Sequence, residues 1–259
     1  VRAVTAAVNR QFEPNFKPER VPGEAHATMR QSDRGIDWQH DDSATVLAKL
    51  NAADGFPGVA DVLFGEPCHL FDAWPEAIFK GAPGSLLGHR ETAICRATAD
   101  GAVWIGHVKA AGGIKLPTTL AFPAAAELPE LALAGYWKSP TPTWQDIAYE
   151  EAAGVGFLSF EFYNGAMSTS QCRRLTEAFA WAATRPTKVI VLRGGSDFWS
   201  NGIHLNTIEA AESPADESWA NINAIDDLAE AILRCERQLT VAAVGGNAGA
   251  GGCFLARAT

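Results

Sequence analysis

The sequence of 259 residues lacks the features that mark membrane, secreted and metal-binding proteins. It has no apolar run near the roughly 20 residues that a membrane-spanning helix needs, and its first residues contain no apolar signal segment. Its five cysteines form no C-x-x-C pair and have no histidine at metal-ligand spacing. We therefore expect a cytoplasmic protein with reduced thiols, without a metal site and without membrane contact.

Positive charge is also scarce. The sequence has 21 Lys and Arg against 30 Asp and Glu, which gives a net charge of −9 at pH 7. Because nucleic-acid contacts require clustered cationic side chains, we expect no nucleic-acid partner. The hydrophobic content of 47% is sufficient for a sizeable core, so the sequence predicts a globular protein.

The sequence pattern divides the chain into four segments. Residues 1–25 are polar and indicate a connector, and residues 116–145 are rich in Pro and Ala and indicate a linker. In residues 26–115, Asp41, Asp42 and Ser43 offer caps for one helix, which precedes short strands with a hairpin signal at Asp100 and Gly101. This pattern predicts a small barrel-like module. The last segment begins at residue 146 and alternates strands with helices, so we predict an α/β chain.

Both ends of the sequence fall at unusual places. The first residue is Val, and the last four residues lie in a helix that we expect to continue. We therefore expect the sequence to be a fragment of a longer protein, and we expect this fragment alone to be inactive.

Two glycine-rich turns are the candidates for a functional site. SDFWSNGIHLN (196–206) and VGGNAGAGGCFLA (244–256) each accompany an apolar, β-branched run and precede helix-permissive sequence. Glycine lets the backbone approach a ligand closely, and the first N–H groups of a helix are unpaired. Two such turns that face one pocket could bind a developing oxyanion.

These turns resemble the oxyanion-hole segments of the enoyl-CoA hydratase/isomerase (crotonase) superfamily, F-x-x-G-x-D-L and G-x-x-x-G-G-G-x-x-L-A. The resemblance implies a truncated ββα spiral fold in residues 146–259, with the N–H groups of Ile203 and Gly251 as the catalytic donors. It also implies that a coenzyme A thioester lies against the residues around both donors, namely Ser200, Asn201, Gly202, His204, Ala248, Gly249, Ala250 and Gly252. Tyr163, Asn164 and Ser168 either border that pocket or serve as turn and cap residues.

Two residues depart from the crotonase pattern. Phe254 stands where hydratases have a catalytic glutamate, so addition of water to an enoyl thioester is not expected. His204 stands where many members have Asp, and its role stays open between an acid or base and a packing residue.

The first half has a second resemblance. Asp33, Ile36, Asp37 and Trp38, followed by Pro57-Gly58, resemble the C-terminal subdomain of formyl-tetrahydrofolate-dependent formyltransferases. In that family the residues that transfer the formyl group lie in an upstream domain that this sequence does not contain. Formyl-tetrahydrofolate would therefore be bound mainly outside this sequence.

The order of the two modules resembles a family of nickel-iron hydrogenase maturation factors. FWSNGIHLN and ESWANINAIDDL carry the most specific part of the match. The resemblance implies formyl transfer from formyl-tetrahydrofolate to coenzyme A, decarbonylation of formyl-CoA to carbon monoxide, and the hydrogenase maturation machinery as partner. Two alternatives stay open: an enoyl-CoA hydratase or isomerase, and a non-catalytic scaffold that binds an acyl-CoA.

Overall fold

The computed structural model describes residues 2–17, 23–24 and 26–259, and the chain forms two compact units. The first unit, Val1–Arg30, contains α1 (Arg2–Gln11), which has no buried side chain. The residues that lie outside the description all fall within the predicted connector, 1–25. The second unit, Gln31–Thr259, contains every other helix and strand named below.

The β-rich module, residues 31–127, is an antiparallel sheet with one helix packed on it. Its elements are, in chain order, α2 (Ser43–Ala53), β1 (Val59–Leu63), β2 (Glu66–Glu76), β3 (Leu86–Arg90), β4 (Ala93–Ala97), β5 (Ala102–Ala110), β6 (Lys115–Pro117) and α3 (Thr118–Ala121). The strand order is β1-β2-β5-β4-β3, with β6 also paired to β5, and in the described residues the sheet stays open between β1 and β3. The predicted cap is confirmed, because the Asp42 carboxylate accepts a hydrogen bond from the Thr45 N–H at 2.8 Å.

The core of this module lies between α2 and the sheet. Val46 and Leu50 of α2 are fully buried, as are Leu70 of β2 and Ile105 of β5. Burial of one such side chain contributes about 1.5 to 3 kcal/mol. The helix is therefore fixed on the sheet mainly by its apolar face.

The ββα module, residues 146–259, follows. Its elements are β7 (Ile147–Ala152), β8 (Val155–Phe160), β9 (Ala166–Met167), α4 (Thr169–Ala183), β10 (Val189–Gly194), β11 (Phe198–Ser200), β12 (Gly202–Ile203), α5 (Leu205–Glu209), α6 (Pro214–Leu233), β13 (Leu239–Ala243), β14 (Asn247–Ala248) and α7 (Gly251–Arg257). The main sheet has the order β13-β10-β8-β7, in which β7 is antiparallel to β8 and the other pairs are parallel. The predicted α/β class is confirmed.

Two helices of this module begin at residues that are typical of a helix start. Ser168 and Gln171 form a reciprocal capping box at the start of α4, and Pro214 is the first residue of α6. The core between these helices and the main sheet contains the fully buried rings of Tyr149, Phe160 and Trp199. In the described residues, no helix is both long enough and apolar enough to span a membrane.

The segment between the modules contacts both of them. Arg90 of β3 donates to the Thr143 hydroxyl at 3.0 Å, and that hydroxyl donates to the Glu76 carboxylate of β2 at 2.5 Å. On the other side, the Tyr149 N–H of β7 donates to the Tyr136 carbonyl of this segment at 2.7 Å. Whether residues 116–145 serve as a linker between separately folding domains stays a prediction.

Candidate functional site

The two glycine-rich turns lie side by side because the strands before them pair. β11 and β14 are parallel, with Phe198 opposite Asn247 and Ser200 opposite Ala248. The Gly249 N–H then donates to the Ser200 carbonyl at 2.9 Å. Both glycine-rich segments therefore turn at the same edge of this small sheet.

Glycine is required where the two turns meet. Gly202 has a φ of +78°, and a Cβ added there would lie 2.7 Å from the Gly251 nitrogen. A Cβ on Gly252 would overlap the Ser200 carbonyl. Any side chain at these positions would push the two turns apart, so the sequence pattern reflects a close backbone approach.

The backbone leaves both predicted donors available. β12 pairs in parallel with β9, and the His204 N–H after β12 donates to the Met167 carbonyl of β9 at 3.1 Å. Because successive strand N–H groups point in opposite directions, the Ile203 N–H points away from β9. Gly251 is the first residue of α7, where an N–H group has no acceptor within the helix. An oxyanion hole requires two such N–H groups directed at one point, and the roles of Ile203 and Gly251 as its donors stay predictions.

An apolar cavity of about 280 Å³ lies next to both donors. Its lining comprises Ile203, Ile222, Ile225, Asp226, Ala229, Ala250, Gly251, Phe254 and Leu255. Phe254 is 74% exposed, so its ring lies at the rim of the cavity instead of closing it. The cavity therefore extends from the two donors to one face of α6, and its lining has little polar surface.

A second, more polar cavity of about 250 Å³ also includes Ile203 in its lining. Asn201 and His204 line it from the first turn, and Tyr163 and Asn164 line it from the segment after β8. The β-rich module contributes His107 and Lys115. The Lys115 ammonium donates to the Tyr163 hydroxyl at 2.7 Å, so the junction between the modules lies at this cavity.

His204 serves as a helix cap. Its Nδ1 accepts the Thr207 N–H at 3.2 Å, at the start of α5. Burial, assisted by the nearby His107, lowers the pKa of His204 to about 4. A neutral ring whose Nδ1 is already an acceptor favours the packing role over that of an acid or base.

The predicted residues fall into three groups. Ala250, Gly251 and Ile203 line the apolar cavity, and Asn201, His204 and Ile203 line the polar one. The other predicted residues, which line neither of these two cavities, are Ser200, Gly202, Ala248, Gly249 and Gly252. Ser200 is fully buried and its hydroxyl accepts the Gly202 N–H at 3.1 Å, so it shapes the turn from inside.

Three features were missed by sequence reasoning. Ala250 adopts a φ of 45° and a ψ of −124°, a conformation that normally requires glycine. His107 is held by the Asp72 carboxylate at 2.9 Å and packs against the Tyr163 ring. Asp226 lines the apolar cavity. Only Ala250 had a sequence signal, because it occupies the first glycine of the family's G-G-G triplet.

Two family models match the chain, in the predicted order. The formyl transferase C-terminal domain matches residues 28–122, and the enoyl-CoA hydratase/isomerase family matches residues 153–259. The fold described above agrees with these matches, since the first covers the β-rich module and the second covers most of the ββα module.

Two proteins with both modules are close relatives. The chain is 53% identical over 232 residues to the hydrogenase maturation factor HoxX of Bradyrhizobium diazoefficiens, covering 88% of this chain and 40% of HoxX. It is 46% identical to HypX from Aquifex aeolicus in complex with tetrahydrofolic acid, with a TM-score of 0.89 over 100% of this chain and 46% of HypX. The A392F-I419F variant of that HypX gives a TM-score of 0.90 at 46% identity, over 99% of this chain and 46% of the variant.

The chain thus spans less than half the length of these relatives. Within that span, the identity is high and the two family matches have the order that the sequence predicts. The chain is therefore a homologue of the hydrogenase maturation factors HoxX and HypX, and it comprises a formyl transferase C-terminal domain followed by part of an enoyl-CoA hydratase/isomerase domain.

Proposed function

We propose that the protein transfers a formyl group from formyl-tetrahydrofolate to coenzyme A and releases carbon monoxide from formyl-CoA, in support of hydrogenase maturation. The module order and the similarity to HoxX and HypX support this proposal. The HypX complex with tetrahydrofolic acid supports a folate cosubstrate, which we place mainly on chain outside this sequence. All five cysteines are free thiols, in agreement with a cytoplasmic protein.

The observation that supports the proposal is that Ile203 and Gly251, the residues of the two predicted N–H donors, line one apolar cavity. The carbonyl oxygen of a formyl thioester would accept hydrogen bonds from the Ile203 and Gly251 N–H groups. Loss of one such donor typically costs about 3 to 4 kcal/mol of transition-state stabilisation. The remaining predicted contacts around the turns, such as Ser200 and Gly252, would act by holding this backbone in place.

The apolar lining suits decarbonylation better than hydration. Formyl-CoA decarbonylates to carbon monoxide and coenzyme A without consuming water, whereas hydrolysis gives formate. Phe254 stands where a hydratase has its glutamate and places a phenyl ring at the rim of the cavity. A cavity with little polar surface holds few ordered waters, so it protects the formyl thioester.

The test uses the full-length protein in which this sequence occurs. Formyl-tetrahydrofolate carrying a ¹³C-formyl group is supplied with coenzyme A, and labelled carbon monoxide and formate are measured together. We expect carbon monoxide from the wild type, and we expect more formate and less carbon monoxide from Phe254→Glu, because a carboxylate at the position of the hydratase glutamate would orient water towards the thioester and accept its proton.

Phe254→Leu is the matched control, since it keeps an apolar side chain and should keep the wild-type product ratio. An unchanged ratio in Phe254→Glu would show that Phe254 does not exclude water. Absence of labelled carbon monoxide from the wild type would overturn the proposed function itself.

A further inference from the structure

One side chain in the apolar cavity is ionisable. Of the nine described residues that line this cavity, Asp226 alone carries a charge, and the others are apolar or glycine. Ile222, Asp226 and Ala229 recur at helical spacing on α6, so they share the face that forms the cavity wall. A carboxylate therefore lies on the same cavity as the two oxyanion donors.

The Asp226 carboxylate is not committed to another partner. Within residues 31–259, it takes part in no ion pair or side-chain hydrogen bond. Asp226 is exposed, and its lack of a partner distinguishes it from two other aspartates of the module: Asp146 binds the Arg174 guanidinium, and Asp216 accepts from the Ser213 hydroxyl at 2.6 Å. Asp226 thus has free acceptor oxygens at the cavity.

Decarbonylation of formyl-CoA requires a base. As the formyl C–H bond breaks, its electron pair stays on carbon and becomes the lone pair of carbon monoxide, and the proton passes to the base. The C–S electron pair leaves with the coenzyme A thiolate, which then takes the proton back from the protonated base. The balance is formyl-CoA to carbon monoxide plus coenzyme A, and no other reactant is needed.

The neighbouring groups do not supply this base. The His204 Nδ1 is used as the cap of α5, and Phe254 cannot carry a proton. The Cys253 thiol donates to the Ala248 carbonyl at 3.1 Å and does not line the cavity. We propose that Asp226 is the catalytic base that accepts the formyl proton and returns it to the thiolate, an inference that rests on the proposed function.

The test compares Asp226→Asn with Asp227→Asn in the full-length protein. Asp227 is the next residue of α6 and is exposed like Asp226, but it does not line the cavity, so it is a matched control for charge and helix stability. Carbon monoxide and formyl-CoA are followed from formyl-tetrahydrofolate and coenzyme A, with kcat and KM determined separately and melting temperatures recorded.

For Asp226→Asn we expect kcat for carbon monoxide to fall roughly 100- to 10,000-fold, with KM nearly unchanged and formyl-CoA accumulating. Asp227→Asn should behave as the wild type. A second variant, Asp226→Glu, should recover part of the rate because it retains a carboxylate. Since formyl-CoA formation is measured in the same assay, loss of the upstream step is recognised separately from loss of decarbonylation.

Two results would overturn the role of Asp226 while leaving the proposed function intact. One is wild-type carbon monoxide production by Asp226→Asn. The other is an equal loss in Asp226→Asn and Asp227→Asn, which would indicate a general charge effect on α6. A wild type that accumulates formyl-CoA without carbon monoxide would overturn both the proposed decarbonylation and the base.

Discussion

The two glycine-rich turns resemble each other in sequence but are held in different ways. In the first turn, the His204 N–H donates to the Met167 carbonyl at 3.1 Å and to the Asn221 amide oxygen at 3.2 Å. The Asn206 amide donates to the Lys115 carbonyl of the β-rich module at 2.8 Å. The position of the Ile203 donor therefore depends on contacts from several distant elements.

The β-rich module reaches this turn by a second route. The His107 ring is parallel to the His204 ring, with 6.0 Å between the ring centroids. Asp72, which holds His107, has a φ of 56°, and a Cβ on the opposite Gly106 would overlap its carboxylate. The positive φ of Asp72 and the missing side chain at Gly106 thus leave room for the Asp72 carboxylate to bind the His107 ring.

The second turn is held almost entirely by backbone. The Gly249 N–H donates to the Ser200 carbonyl, and the Gly252 N–H donates back to the Gly249 carbonyl at 2.8 Å. Its donor, the Gly251 N–H, is set by the start of α7 and by the unusual φ of Ala250. Tertiary contacts therefore position the Ile203 donor, whereas local backbone conformation positions the Gly251 donor.

The largest expected effect comes from Gly202→Val, which breaks the contact between the turns. Its Cβ would approach the Gly251 nitrogen to 2.7 Å at a φ of +78°, so both donors would move. We expect affinity for the unreactive thioester acetyl-CoA to fall roughly 100- to 1,000-fold by calorimetric titration. Gly251→Val should also weaken binding, and Cys253→Ala should not. Equal affinities in all three variants would contradict this placement of the pocket.

The next largest effect is the pH dependence of stability that His204 of the first turn introduces. The folded state lowers the pKa of His204 from 6.5 to about 4. Between these values the unfolded chain binds a proton that the folded chain does not, so stability falls as the pH decreases from 6.5 towards 4. The full difference corresponds to about 3 kcal/mol.

His204→Asn separates this titration from capping, because Asn is a good N-cap residue without a titrating ring. Urea denaturation of both proteins at about pH 7 and about pH 4.5 measures the difference. The wild type should lose more unfolding free energy than the variant. Equal losses would indicate that His204 is not kept neutral by the fold.

A smaller effect is expected where the β-rich module contacts the first turn. Asn206→Ala removes the hydrogen bond to the Lys115 carbonyl, and the carbonyl loses its partner. We expect a loss of about 1 kcal/mol of unfolding free energy, measured by urea denaturation. Asn223→Ala is the control, because the Asn223 side chain bonds only within α6, to the Trp219 carbonyl. An equal effect of both variants would argue against a specific role of the module junction.

The smallest effect is expected at the second turn. Ala250→Gly places glycine where φ is 45°, which removes strain of about 1 to 3 kcal/mol. Part of this gain is offset by the greater freedom of glycine in the unfolded chain, so we expect a net stabilisation below about 1 kcal/mol. Ala248→Gly, at a residue without positive φ, should destabilise. A destabilised Ala250→Gly would show that the turn is not strained.

Much of the local structure could be predicted from the sequence. Asp42, one of the three predicted cap residues, and Ser168 are confirmed as caps, because cap signals act through hydrogen bonds within a few residues. The glycine patterns also predict which backbone segments approach a ligand, and the structure shows these segments in close contact with each other. The placement of the thioester and the roles of Ile203 and Gly251 stay predictions.

The sequence by itself determined the α/β class, the order of the modules and the two turns, since periodicity, caps and glycine spacing are local properties. Only the tertiary structure brought His107 of β5 against His204, committed the His204 Nδ1 to Thr207 and placed Asp226 at the cavity that Ile203 and Gly251 also line. Contacts between residues far apart in sequence depend on how whole elements pack, and no local pattern encodes them. The packing of α6 and of the β-rich module on the first turn therefore determines which side chains lie next to the donors.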